Sequence, residues 1–587
     1  QQFNGALVSF QRVLEIQPDY AGVHFNLGCT LRELGMLDEA IASFRQAVIS
    51  QPDFAEALHE LGFELYKLRQ LDEMLDISHR LIRINPRNPA ALNLLGLALN
   101  ELDKPHQAIA SYQQALEINP DLAEVHLNLG GARSKINQIE DAQASYRHAI
   151  DLNPEYYKAY TGLLFTLNYN STYDPSSYLK TALLYSESVA KKVTARFTTW
   201  QCVPQPKRLR VGIVSGDLRN HPVGHFLESI LTHLGSSRIE LIAYANNPAT
   251  DELTVRIKPY FAQWQPIFTL NDQAAAQLIH DDGIHLLLDL SGHTAKNRLP
   301  VFAWKPAPVQ ATWLGYFAST GVAEIDYLLA DETGVPTNQH AHFSETIWYL
   351  PDTRLCFTPP NTDLPVSPLP ALNPPTLTFG CYQNLAKVND EVLAAWGRIF
   401  TALPQARLRL AAKQLGDATV VAQLQQRLQQ HGIAQTRVST YGSVSRQDYL
   451  ASHTEVDILL DTFPYPGGTT TCEALWMGVP TLTLAGNTLL ARQGASILTA
   501  AVLPDWIASS EDDYAAKAIH VASDLPKLAS LRAGLREQVR TSPLFDAPRF
   551  AKHLEAALWG MWQAKQPALI AEGKLNGTTV THQESTP

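Results

Sequence analysis

The chain has 587 residues, 45% of them hydrophobic and 18% charged, with a net charge of −11. That composition suits a soluble globular protein of about three or four domains. It argues against non-specific nucleic-acid binding, which needs a basic footprint, and no apolar run approaches the roughly 18 residues of a membrane span. Five cysteines (Cys29, Cys202, Cys356, Cys381 and Cys472) are odd in number and widely spaced, without a CxxC pair. This pattern predicts neither a disulfide framework nor a zinc site, and it fits a reducing, cytoplasmic setting. The chain opens at Gln1 already inside a helical pattern, which predicts a trimmed piece of a longer protein.

Pro18, Pro52, Pro86, Pro120 and Pro154 stand 34 residues apart, and Gly28, Gly62, Gly96 and Gly130 keep the same step. Within each step, apolar residues recur at three and four positions through two stretches, broken by segments such as Gly35-Met36-Leu37-Asp38. Helix, turn, helix at a period of 34 is the signature of a tetratricopeptide (TPR) array. Four units fit, 22–55, 56–89, 90–123 and 124–157, with a half unit before and a degraded one from Lys158 to about Asn168. Small residues such as Gly28 and Ala40 belong where helices approach closely, and each proline ends a second helix. One unit cannot bury its own apolar face, so the array, assigned to 1–170, must stack into a superhelix. Such a groove would hold an extended peptide; the array could instead be a spacer or a homo-oligomer interface.

A helical linker is expected over 171–206. From 207 to 357 the period is lost. Residues 208–216 read as a buried strand running into a glycine turn, followed by Asn220, His221 and Pro222 and a helix over Phe226–Leu234. Further strands are expected at Glu240–Tyr244, His285–Leu290 and Ala311–Leu314, with helices between. Strands alternating with helices predict a parallel, doubly wound sheet, whose ligands bind beyond the carboxyl ends of the strands. That puts His221 at the active edge, with His225 the more structural of the two histidines.

A proline-rich linker, 358–375, leads to a second region of the same kind, 376–565. Strands are expected at Thr376–Gly380, Arg407–Ala411 and Asp457–Leu460, and a helix at 391–402. The last strand runs into Asp461-Thr462-Phe463-Pro464-Tyr465-Pro466-Gly467-Gly468-Thr469-Thr470-Thr471 and a helix over 472–477. Free N–H groups at a helix start, with hydroxyls beside them, form an anion site suited to a diphosphate. Glu473 in the first turn is spaced to reach a ribose, although Thr470 with Glu473 could also close an ordinary capping box. Lys387 would add positive charge. Two Rossmann-like domains, one with a phosphate-binding helix and neither with a DxD pair for a metal, suggest a metal-independent nucleotide-sugar transferase of the GT-B type. The fold class expected is thus an α-solenoid followed by two α/β domains. A helix at 548–563 should pack back on them, and the polar tail 566–587 should be weakly ordered.

The motifs LRVGIVSGDLRNHPVGH (209–225), DLSGHT (289–294), KPAPVQATWLGY (305–316), QNLAK (383–387), LLDTFPYPGGTTTCEALWMGVP (459–480) and SPLF (542–545) resemble family 41 glycosyltransferases, the O-GlcNAc transferases and their plant relative SPINDLY. The resemblance covers almost the whole chain. It implies inverting transfer of a sugar from a nucleotide to a Ser or Thr hydroxyl of a protein held by the TPR groove. His221 matches the family's active-site histidine, His280 a second cleft histidine, and Lys387 the lysine that holds the leaving diphosphate. Leu314 and Gly315 match a segment lining the sugar pocket. Thr469 and Thr470 match diphosphate-binding threonines. Asn384 replaces a glutamine, Arg446 a phosphate-binding lysine, Tyr449 a histidine beside the base, Gly468 a histidine and Glu473 the ribose-binding aspartate. Asn26 and Asn128 match an asparagine ladder that grips acceptor backbone, whereas Glu60 and Leu94 break it. The donor implied is UDP-GlcNAc, with GDP-fucose the alternative because NLAK, DTFPY, TTTCE and MGVP look SPINDLY-like. A TPR scaffold with an inactive transferase half is the rival of another class; the retention of His221, Lys387, Thr469 and Thr470 speaks against it.

Overall fold

The computed structural model describes residues 2–170, 174–234, 238–373 and 375–576. The chain forms two compact units, Gln1–Thr166 and Leu167–Pro587.

The first unit is the helical repeat. Its helices pair as Ala21–Glu33 with Leu37–Ser50, Ala55–Lys67 with Leu71–Ile84, Pro89–Glu101 with Pro105–Ile118, and Ala123–Lys135 with Ile139–Leu152, preceded by Gln2–Ile16. Each second helix stops two residues before a periodic proline. The period is written into the backbone too: Gly35, Arg69, Asp103 and Asn137, one per repeat, hold the left-handed conformation that turns helix into helix. The periodic glycines let the helices of a pair close up. A Cβ on Gly96 would lie 2.4 Å from the ring of Tyr112, which is fully buried in the next helix. Ala40 is likewise fully buried.

The second unit begins earlier than the sequence suggests. The segment expected to be a linker contains the helix Pro175–Ala190, whose Tyr178, Ala182 and Tyr185 are buried. Tyr178 hydrogen-bonds the Tyr316 hydroxyl, and Gly321 sits against the Ala182 carbonyl. The linker is therefore a wall of the first α/β domain, because its apolar face packs on that domain's loops at Tyr316, Gly321 and His293.

That domain carries seven strands: β1 (Leu209–Ser215), β2 (Ile239–Ala245), β3 (Gln263–Pro266), β4 (Leu286–Asp289), β5 (Val309–Thr312), β6 (Tyr327–Ala330) and β7 (Thr346–Tyr349). All are parallel, in the order β3-β2-β1-β4-β5-β6-β7. The next carries six: β8 (Thr378–Cys381), β9 (Arg407–Ala411), β10 (Val438–Tyr441), β11 (Ile458–Leu460), β12 (Thr481–Leu484) and β13 (Ile507–Ala508). These are also parallel, in the order β10-β9-β8-β11-β12-β13. Both sheets reverse direction of winding once, between β1 and β4 and between β8 and β11. In an open parallel sheet that switch point leaves a crevice beyond the carboxyl ends, because the flanking helices diverge to opposite faces.

The last helix runs over Ala547–Ala571, longer than expected, and buries Phe550, Leu554, Leu558 and Trp562. Residues 566–576, expected to belong to a weakly ordered tail, are held in place. The Trp200 backbone N–H donates to the Lys574 carbonyl at 2.8 Å and its carbonyl accepts from Asn576 N–H at 2.8 Å, pinning this segment by backbone pairing. Residues 577–587 lie outside the described residues.

Candidate active site

The switch point of the second sheet carries the most organised loop. β11 runs directly into Asp461, 1% exposed. Its Oδ1 accepts the N–H groups of Thr462 at 3.0 Å and Gly467 at 2.7 Å, and its Oδ2 accepts the Thr483 hydroxyl of the adjacent β12 at 2.9 Å. These bonds fold 461–467 into a closed turn that delivers Gly468 as the N-cap of the helix Thr469–Trp476. Among the described residues, no side chain caps that helix, and the buried hydroxyls of Thr469 and Thr471 have no hydrogen-bond partner. The capping box of Thr470 with Glu473 is not formed; the Thr470 hydroxyl instead accepts from Gln383 Nε2 at 2.7 Å. Open N–H groups and spare hydroxyls at a helix start favour an anion.

Lys387 enters the same turn from the loop after β8. Its Nζ donates to the Pro466 carbonyl at 3.0 Å and lies 3.9 Å from the Tyr465 ring centre. Burial lowers its pKa to about 8, with Asp461 opposing the fall. Asn384 shapes this loop: its Oδ1 accepts from Ala386 N–H at 3.0 Å and from Gln414 Nε2 at 2.7 Å. Nearby, Glu473 is buried and holds two partners, accepting from the Tyr449 hydroxyl at 2.8 Å and pairing with Arg446. Tyr449 also sets its ring edge-on to His453, 5.2 Å away. Burial raises the Glu473 carboxyl, and Arg446 opposes that rise.

The first sheet has a matching arrangement. Asp289 ends β4, fully buried, and accepts from Ser291 and Gly292 N–H at 3.1 and 2.8 Å and from the Thr312 hydroxyl of β5 at 2.8 Å. Each sheet thus closes its switch-point turn with an aspartate at the strand end and a threonine on the next strand. Burial lifts both carboxyls to about 6. Just past β1, His221 accepts Val223 N–H on Nδ1 at 3.3 Å, which assigns the proton of the neutral ring to Nε2. Asp217 stands 3.7 Å from Nδ1, too far for a hydrogen bond. Burial lowers the His221 pKa, Asp217 partly offsetting it, so the ring is neutral at physiological pH. His225 bonds Asn220 at 3.0 Å and is pushed down to about 4 by burial.

Leu314 and Gly315 follow β5 at the same edge. Leu314 is a non-glycine residue with φ of 70°, strain that the surrounding packing sustains. Gly315 is obligatory, since a Cβ there would lie 1.8 Å from the Leu290 carbonyl oxygen. The two domains meet around this edge: Phe317, just beyond Gly315, packs edge-on against Tyr465 at 5.1 Å.

His280 is not brought to this edge. It closes the helix Asp272–Asp281 that feeds β4, so it lies at the amino end of the sheet, opposite His221. There it stacks on Phe197 at 4.0 Å and bonds the Thr199 carbonyl at 2.9 Å. The asparagine ladder is also incomplete. Asn128 spends its amide on Asn93 at 2.9 Å, Leu94 is fully buried, Glu60 pairs with Arg32, and Asn26 is exposed. The residues that sequence reasoning missed are Asp461, Asp289 and Gln383. A single aspartate directly after an all-apolar strand, in LLLD (286–289) and ILLD (458–461), is the signal that could have found the first two.

The family profile of glycosyl transferase family 41 matches residues 175–357 and 371–554. The chain belongs to this family. TPR profiles match 9–42, 104–136 and 123–156. Among relatives, the family 41 chain is 36% identical over 374 residues to the probable UDP-N-acetylglucosamine–peptide N-acetylglucosaminyltransferase SPINDLY of Arabidopsis thaliana, matching 63% of this chain and 41% of that protein. The same plant's probable transferase SEC is 32% identical over 371 residues, 61% of this chain and 37% of that protein. The chain thus spans about two fifths of the length of these curated relatives. Among solved structures, a mutant of the Thermobaculum terrenum O-GlcNAc transferase superposes with a TM-score of 0.80 at 34% identity, over 88% of this chain and 98% of that one. Among the described residues, no helix is long and apolar enough to cross a membrane.

Proposed function

We propose that the chain is an inverting protein O-glycosyltransferase that moves GlcNAc from UDP-GlcNAc to Ser or Thr hydroxyls of acceptor proteins presented by the TPR array. The observation that carries this reading is the convergence of Lys387 with the uncapped turn Gly468–Thr471 at the switch point of the second sheet. A nucleotide diphosphate leaving from an anomeric carbon gains charge in the transition state. An ammonium and a helix start already in place would stabilise that charge without reorganisation. Thr469 and Thr470 would donate to the phosphate oxygens. Arg446, half exposed, would swing from Glu473 to the phosphates, freeing the carboxylate for the ribose. His221, with its proton on Nε2, would orient the acceptor oxygen; it could take a proton there only after exchanging tautomer. Leu314 and Gly315 would border the sugar.

A second donor, GDP-fucose, is favoured by the SPINDLY-like residues of the turn and by Glu473 in place of an aspartate. The test is sugar transfer to acceptor protein, followed by intact mass, with each donor in parallel and Lys387→Ala as the control. Transfer of GlcNAc that the variant abolishes, with its fold kept, supports the first reading; transfer of fucose alone moves the chain to the second. Transfer undiminished in a folded Lys387→Ala protein removes the mechanism, and nucleotide binding by neither donor leaves a TPR scaffold.

A further inference from the structure

Arg354 lies buried behind the donor turn. It is 1% exposed, and among the described residues its Nε has no hydrogen-bond partner and no carboxylate forms an ion pair with it. A buried guanidinium without an ion pair is costly; the nearby Asp331 carboxylate offsets only part of the desolvation that burial imposes. Its position is fixed from the first domain: Arg354 N–H donates to Asp331 at 2.9 Å, and the Arg354 carbonyl accepts from Trp313 Nε1 at 2.9 Å. The guanidinium reaches into the second domain, where Nη2 donates to Gln493 Oε1 at 3.0 Å. Gln493 Nε2 then faces the donor turn, 3.4 Å from the Gly467 carbonyl and 3.1 Å from where a Cβ of Gly468 would sit.

We propose that Arg354 and Gln493 are positioning residues for the donor's diphosphate, holding the turn Gly467–Thr469 in its anion-binding form and placing a second buried positive charge one hydrogen bond behind it. This rests on the reading of that turn as a nucleotide-sugar site. The reasoning follows from donor and acceptor chemistry. Glutamine's two ends differ, and an arginine that can only donate forces Oε1 toward itself and Nε2 toward the turn. Without that cation the amide can flip, turning an acceptor onto the Gly467 carbonyl and toward an incoming anion. The Arg354 charge adds to that of Lys387 and the helix start. Because Arg354 is anchored to Asp331, which also accepts the Ser496 hydroxyl at 2.6 Å, the first domain's sheet edge sets the geometry of the second domain's phosphate turn.

The experiment is calorimetric titration of the full chain with UDP, GDP, inorganic pyrophosphate, uridine and guanosine. We expect Arg354→Met to weaken the bound nucleoside diphosphate and pyrophosphate about tenfold while the matching nucleoside is held as before. Arg354→Lys, which keeps charge and donor, should recover binding to within about threefold, and Gln493→Leu should reproduce the loss. Diphosphate affinity unchanged in Arg354→Met overturns the proposal, as does an equal loss for diphosphate and nucleoside, the mark of a structural role. Should Arg354→Met not fold, wild-type affinity in Gln493→Leu overturns it just as well. Failure of the wild-type chain to bind any diphosphate would instead refute the donor-site reading itself.

Discussion

Lys387 gives the account its sharpest quantitative consequence. Its ammonium is enclosed by the Tyr465 ring and the Pro466 carbonyl, and burial depresses its pKa to about 8. A diphosphate needs the protonated form. The free protein carries that form almost fully near pH 7 but in only about a tenth of molecules near pH 9, so diphosphate affinity should fall roughly tenfold across that interval. The sign is fixed: a lowered lysine pKa means the proton is lost early as pH rises, and ligand binding must take one up. Lys387→Met should bind weakly at both ends, with the pH dependence gone. Calorimetry in two buffers of different ionisation enthalpy counts the proton directly, and the expectation is uptake of close to one near pH 9 and almost none near pH 7. Affinity that is flat in wild type, or an equally steep fall in Lys387→Met, would refute the assignment of Lys387 to the anion.

Other positions give independent tests. Asp461→Ala leaves two backbone N–H groups and the Thr483 hydroxyl without their acceptor and should cost about 3–5 kcal/mol in urea unfolding. Asp461→Asn can keep Oδ1 on the N–H groups and should cost only about 1–2 kcal/mol. Gly315→Ala, driven into the Leu290 carbonyl, should destabilise by about 2–3 kcal/mol and abolish donor binding measured on the surviving folded protein. Gly35→Ala meets nothing within 4 Å but must hold φ near 78°, so it should lower stability by about 1 kcal/mol with turnover intact. His221→Asn should lower turnover by at least about tenfold without changing donor affinity, as a single-turnover assay would report.

Much of this architecture was legible before any coordinates. A 34-residue period constrains both helices and the turn between them, so the repeat frame, the helix stops and the close glycines all followed from spacing. The long buried strands β1 and β2 were equally plain, and with them the edge to which His221 belongs. Of the strands that escaped, β3, β6, β7, β10, β12 and β13, three, β3, β7 and β10, are not buried on both faces and lack the apolar run that marks the equally short β4 and β11, and β13 is a single pair of residues. His280 was misplaced because a resemblance of local pattern does not say which end of a helix meets which edge of a sheet. Its place at the close of a helix leading into β4 points to the amino edge. The pairing of Arg446 and Tyr449 with Glu473, and of Arg354 with Gln493, joins residues far apart in sequence, and spacing carries no information about such contacts. The tail 566–576 reads as polar, yet it continues the last helix to Ala571, packs Leu569 and Leu575 against the core, and pairs its backbone with Trp200.

The most direct test of the central claim is a set of melting curves of the full chain with UDP, GDP, UDP-GlcNAc and GDP-fucose, alongside Lys387→Ala. A ligand that binds only the folded state raises its melting temperature. The account predicts a rise with one base's diphosphate and its sugar nucleotide, uridine leading, that is lost or sharply reduced in the variant. No rise with any of the four, or the same rise in the variant, would contradict it.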